Sequence, residues 1–281
     1  MTDVVIRPLR AGEEQLFLSM PDPAPIGHRA NFDYAPQHAW VALQGDQVIA
    51  RAAWAAMDDD PTPVGLDWFD LEGDPELGAR LLNAAQATLR DRYGRVPEYH
   101  LFLKPGWRER PEEVAAVELR LAAARLAGLE VKGERIRTVW TAVNPLPEPP
   151  GRYEVGPADP GLIDEFGPPD ILTGVEGAFA DGVNLAENPL FGLGDPQAYC
   201  AGDQGLAVVG WHGDTRFIGY LAVREDDVLL DLLIGVTSQL EQEGAVEIYA
   251  DTDSGREVVL AALAAADYRQ VRSRLYLTPA G

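Results

Sequence analysis

The stretch Pro63–Arg92, PVGLDWFDLEGDPELGARLLNAAQATLRDR, decides the fold. Val64–Leu71 reads as a strand, the next three residues as a sharp acidic turn, and the remainder as an amphipathic helix. Asp74 is placed to cap that helix, with Pro75 at its first position. Leu77, Leu81, Ala85 and Leu89 recur at four-residue spacing and give one apolar stripe. The first amides of a helix have no intrahelical partner, so in many α/β folds such a junction holds a ligand phosphate. Here Asp70, Glu72, Asp74 and Glu76 crowd the turn. Each acid favours the helix dipole by ~0.3–1 kcal/mol, yet each repels a phosphate. An Asp74 cap also takes an amide that a phosphate would need. Arg80, one turn inside the helix, is the nearest cation.

Outward from this stretch the chain alternates strands and helices. Val4–Leu9 reads as a strand and Gly12–Met20 as one or two helical turns. Ala39–Leu43 and Val48–Met57 form a hairpin. After the central helix come a strand at Glu98–Leu103 and a helix at Pro111–Ala127, with Val114, Val117, Leu121 and Ala124 on one face. Gly128 ends that helix, and Leu129–Val131 and Arg135–Val143 read as two closing strands. NPLPEPPG, residues 144–151, has a linker composition. Tyr153–Pro157 then begins the plan again, and residues 167–205, rich in Gly and Pro, read as a long loop. A hairpin (Gly205–Trp211, Phe217–Val223), a helix (Asp227–Glu243) and a strand (Val246–Asp251) follow. Ser254 and Glu257 form a capping box opening a helix to Ala266, and Tyr268–Leu277 closes the chain. The pattern predicts an α/β (α+β) protein of two tandem domains, 1–145 and 152–281, joined by a linker at 146–151. Each domain is expected to be a mixed, mostly antiparallel twisted sheet flanked by helices.

Composition narrows the function classes. The chain has 281 residues, enough for two ordinary domains, and a formal net charge of −22. Such a field repels nucleic acid and anionic membranes, so neither is expected as a partner, and it favours cationic substrates or plain solubility. Cys200 is the sole cysteine, which excludes an intrachain disulfide and a thiolate metal cluster. The start, MTDVVIRPLR, lacks an apolar secretory core, and no apolar run approaches a membrane span; a cytoplasmic location is the expectation. The histidines at 28, 38, 100 and 212 show no metal-ligand spacing, and no nucleophile elbow or P-loop is present.

The order of elements resembles the GCN5-related N-acetyltransferase (GNAT) superfamily. The resemblance rests on the strand–turn–helix at 64–89, on YHLFL at 99–103 and on the segment LAGLEVKGERIRTVW. In the second half it rests on VEIYADTDSGREVVLAALAAADYRQVRSRLYL. It implies acetyl-CoA as acyl donor, its pyrophosphate held by the turn that in the family reads Gln or Arg, two residues, Gly, one residue, Gly or Ala. Setting Leu81-Leu82 on the family's aliphatic pair puts Gly78 at the last glycine, Glu76 at the earlier one and Gly73 at the Gln/Arg. The implied cofactor positions are therefore Gly73, Leu77, Gly78, Ala79 and Arg80. By the same resemblance the candidate bases are Asp67, Asp70 and Glu72, and the candidate acid is Tyr268, since Pro111–Ala127 holds no Tyr, Ser or Cys. The corresponding turn of the second half, residues 224–230, has no glycine, and a fourth strand is not readable there. Two functions follow: an acyl-CoA-dependent N-acyltransferase acting on a small-molecule amine or peptide of cationic character, or a non-catalytic binding or homodimerising protein on the same fold.

Overall fold

The computed structural model describes residues 3–21, 33–56, 62–166, 171–172, 190 and 192–280. His28 and the greater part of 167–191 lie outside the described residues. The chain divides into two units, one of residues 1–133 with 274–281 and the other of residues 134–273.

In the first unit β1 (Val4–Pro8), α1 (Glu14–Leu18), β2 (Ala39–Gln44), β3 (Gln47–Ala56) and β4 (Pro63–Leu71) lead to α2 (Pro75–Tyr93). Then come β5 (Glu98–Leu103), α3 (Pro111–Leu126) and the start of β6 (Leu129–Thr141). The sheet order is β1-β2-β3-β4-β5, antiparallel up to β4 and parallel between β4 and β5. Helix α2 forms as its stripe dictates: Leu77, Leu81, Ala85 and Leu89 are buried, and Gly94 ends it at φ 77°. Complete burial contributes about 1.5–3 kcal/mol for each such leucine. Side-chain alternation along the strands sorts two faces. Ala50, Ala52, Trp54, Phe69 and Leu71 pack with the α2 and α3 leucines and with Leu275 and Leu277 of the last strand. Arg51, Trp68 and Asp70 face the other way, toward α1 and Phe17.

The second unit repeats the plan with β7 (Val155–Ala158), α4 (Ile163–Phe166), β8 (Ile171–Leu172), β9 (Gly194–Ala201), β10 (Gly205–His212) and β11 (Thr215–Val223). These are followed by α5 (Leu229–Gln242), β12 (Glu247–Asp253), α6 (Glu257–Ala265) and the start of β13 (Arg269–Pro279). Its sheet runs β6-β12-β11-β10-β9-β7, with β11 and β12 parallel and the other neighbours antiparallel. No described helix is long and apolar enough to cross a membrane.

Four local expectations change. The strand that the second half lacked is β9, hidden in 167–205 because Gly194, Asp195 and Pro196 open it with turn-type residues. The two closing strands of the first half are one strand, β6, continuous through Gly133. Ser254 does not cap α6; its amide bonds Glu134 O, and the helix begins at Glu257 with no side-chain cap. The unit boundaries fall within β6 and β13, whereas 146–151 lies inside the second unit. Its proline-rich composition reads as a linker, but the segment is tied down where it ends. Asp231 of α5, 1 % exposed, accepts from the amides of Gly151 at 2.8 Å and Arg152 at 3.1 Å. Asp231→Ala removes both acceptors and is expected to cost about 1–3 kcal/mol in denaturant unfolding. An unchanged midpoint would show that the segment is not held by this carboxylate.

Candidate functional site

Only Glu72, Gly73 and Asp74 separate β4 from α2. Asp74 caps the helix: its Oδ1 accepts from the Glu76 amide at 2.9 Å, while its own amide donates to Glu72 O at 2.7 Å. Pro75 contributes no N–H. Gly73 sits at φ 65°, in the left-handed region a tight turn requires, with open space around it. Gly78 has a different reason to be glycine. A Cβ there would lie 2.8 Å from both Ala123 Cβ and Leu71 Cδ1 and 3.0 Å from Phe69 Cζ, so the residue lets α2 seat against α3 and β4. Leu77 and Ala79 are buried in that same core, and Arg80 is exposed. The donors that a pyrophosphate would use are thus reduced by a proline and a side-chain cap, and Glu72, Asp74 and Glu76 stand exposed around them. These residues do not fit the phosphates of acetyl-CoA.

The pairing of β4 with β5 is limited to Gly65↔Glu98 and Leu66↔Tyr99, whereas β3 follows β4 along its length. Past Leu66 the β5-side edge of β4 needs other partners. Arg120 of α3 supplies one: its Nε donates to Phe69 O at 2.8 Å. The same guanidinium donates from Nη1 to Ala116 O at 2.9 Å and from Nη2 to Asp70 Oδ1 at 2.6 Å. The other oxygen of Asp70 accepts from Arg51 Nε and Trp68 Nε1, each at 2.8 Å. Arg51 Nη1 donates to Phe17 O and Met20 O, and its guanidinium lies 5.0 Å from the Trp68 ring centroid. All three charged residues are at most 2 % exposed. Burial alone would raise the pKa of Asp70, but the charges and hydrogen bonds of Arg120 and Arg51 outweigh it and hold the carboxyl below its ordinary value. One carboxylate between two guanidinium groups leaves a net positive charge, which the carbonyls and aromatic faces disperse. Tyr99, opposite Leu66, is buried beside this cluster; burial pushes its phenol up, and its hydroxyl has no hydrogen-bond partner among the described residues.

The candidate acid–base residues fall in different settings. Asp70 is the centre of the arginine pair. Asp67 is 9 % exposed and accepts from Tyr34 OH at 2.7 Å, at the point where the β3–β4 register skips a residue. Glu72 is exposed on the turn. Tyr268 belongs to the core of the second unit, where its hydroxyl pairs with Thr237 Oγ1 at 2.7 Å and burial pushes its phenol up. Arg51 and Arg120 were not singled out from the sequence. Their signal is there: Arg120 interrupts an apolar helix face between Val117, Leu121 and Ala124, and Arg51 interrupts IARAAWAA.

In the second unit the equivalent turn, Arg224-Glu225, leads through a short 3-10 turn at Asp226–Val228 into α5. Strand β11 pairs with β12 only at Arg216↔Ile248 and Phe217↔Tyr249. Because β10 occupies one edge of β11 throughout, β8 lies on the edge that β12 leaves, pairing Leu172 with Tyr220 and Ile171 with Leu221. That gap is filled by the chain itself. Among the described residues no group of His, Cys, Asp or Glu is placed to hold a metal ion.

Two outcomes are expected. Gly78→Ala overpacks the α2–α3 contact and should destabilise by about 1–3 kcal/mol, with Ala123→Gly relieving part of the loss; independent, additive effects would contradict this packing role. Asp70→Asn strands two buried guanidinium groups and should cost about 3–5 kcal/mol at neutral pH. Because folding lowers the pKa of Asp70, its stabilising contribution is complete above about pH 4 and is lost as pH falls through the folded value. Acid unfolding curves of wild type should therefore be steeper than those of Asp70→Asn.

No family model matches the sequence, and no curated protein matches it. Solved structures do. A GCN5-related N-acetyltransferase from Sphaerobacter thermophilus is 14 % identical, with 88 % of this chain and 82 % of that one covered and a TM-score of 0.51. A GCN5-related N-acetyltransferase from Kribbella flavida is 12 % identical over 83 % and 87 % of the two chains, with a TM-score of 0.45. A tandem GNAT protein from the clavulanic acid biosynthesis pathway is 15 % identical over 99 % of both chains, with a TM-score of 0.42. At such identities the likeness is one of architecture, and the protein has the GCN5-related N-acetyltransferase fold.

Proposed function

We propose that the protein is a non-catalytic binding protein built on the acetyltransferase fold. The carrying observation is the turn from β4 to α2, where Pro75, the Asp74 cap and the packed Gly78 take the place of a phosphate cradle. In the second unit, β8 in the gap beside β11 supports the same reading. The net charge of −22 favours a cationic partner, drawn by long-range attraction that salt should weaken.

A second reading, acyl transfer from acetyl-CoA to an amine by the first unit, is favoured by one feature. The strand–turn–helix on which the resemblance rests is retained, with three residues between β4 and α2 and Gly78 in the first turns of the helix. Thermal unfolding with millimolar acetyl-CoA, together with a mass measurement for co-purified CoA, separates the two. The non-catalytic reading expects no saturable change in Tm and no bound CoA. A saturable rise in Tm that is lost in Arg80→Glu would establish the acyl-CoA reading instead.

A further inference from the structure

Arg120 lies on α3, and α3 packs through Val117, Leu121, Ala123 and Ala124 on the face of the sheet that Phe69 and Leu71 share. Asp70, next in sequence to Phe69, projects to the opposite face, where Arg51, Trp68 and Phe17 meet it. A side chain rooted on one face that bonds both Phe69 O and Asp70 Oδ1 must pass the open edge of β4. The pairing with β5 ends at Leu66, so the guanidinium stands in the gap between the two strands. Its acceptors there are two main-chain carbonyls and one carboxylate oxygen, between 2.6 and 2.9 Å away. The three acceptors are met by three different nitrogens of one planar fork, a span that matches a guanidinium, whereas the three donors of an ammonium radiate from a single nitrogen.

We propose that the Arg120 guanidinium is the built-in occupant of the β4–β5 gap, and that shortening this side chain converts the gap into a binding site for a free alkylguanidinium cation. In the intact protein the arginine excludes other ligands from the gap and bonds the edge of β4 left by β5. The inference goes beyond the proposed function and does not depend on it, because acetyl-CoA could fail or succeed in binding elsewhere while Arg120 holds this position.

The test compares wild type, Arg120→Ala and Arg120→Lys by thermal unfolding with ethylguanidinium, ethylammonium and urea at low millimolar concentration. Arg120→Ala should melt on the order of 10 °C lower, as expected when a buried ion pair is broken. Ethylguanidinium should raise its Tm saturably, whereas ethylammonium and urea should not, and wild type should respond to none of them. Absence of a saturable ethylguanidinium effect on a folded Arg120→Ala, or an equal effect on wild type, would overturn the proposal. If Arg120→Ala does not fold, the arginine Nε–H signals of wild type decide. Slow solvent exchange at Arg120 supports the buried site, and exchange as fast as that of exposed Arg80 contradicts it. Acetyl-CoA in a parallel wild-type arm separates the two readings: a rise in Tm there counts against the non-catalytic function and leaves the guanidinium result to be judged separately.

Discussion

In the first unit two guanidinium groups share a single buried carboxylate, and the geometry of the candidate site follows from how that charge is accommodated. Asp70 is held by Arg51 from the neighbouring strand and by Arg120 from the helix behind the sheet. Removing ions from water costs several kcal/mol each, so the arrangement persists only with nearly every donor engaged. The carbonyls of Phe17, Met20, Phe69 and Ala116 meet that demand. The consequence is positional. A strand edge that would otherwise offer main-chain groups to a ligand is bonded to the protein's own side chain.

The helix turn next to it follows the same logic by a different chemistry. A helix N-terminus attracts anions because its amides are unsatisfied. Here the sequence supplies the anion itself, in the cap of Asp74 and the acids on either side. In the second unit the chain fills the corresponding strand gap with main chain, through β8. Side-chain cap, buried guanidinium and inserted strand are three unrelated solutions, and each satisfies main-chain groups at a helix start or a strand edge.

Much of this was legible in the sequence, for reasons that can be named. The four-residue stripe of α2 and its Asp-Pro start are local signals, and local signals specified that helix. The duplicated plan was readable because both halves repeat hairpin, helix, strand and helix. Strand β9 was not, because its first three residues are glycine, aspartate and proline, which read as a turn and leave little periodicity in the remainder. Gly78 was visible as a glycine, but the cause, contact with Ala123 of α3, joins positions 45 residues apart (123 less 78) and has no local signature. The Arg51–Asp70–Arg120 cluster is likewise a product of tertiary structure. Asp70 read alone is a strand-end acid, and only the fold brings two arginines to it.

The central claim is that the amides at the start of α2 are not available to a phosphate. Hydrogen exchange at Glu76–Arg80, measured on wild type with and without millimolar acetyl-CoA, tests it at the atoms concerned. The account predicts the same exchange rates in both conditions. Selective slowing of these amides by acetyl-CoA, with the rest of α2 unchanged, would contradict it.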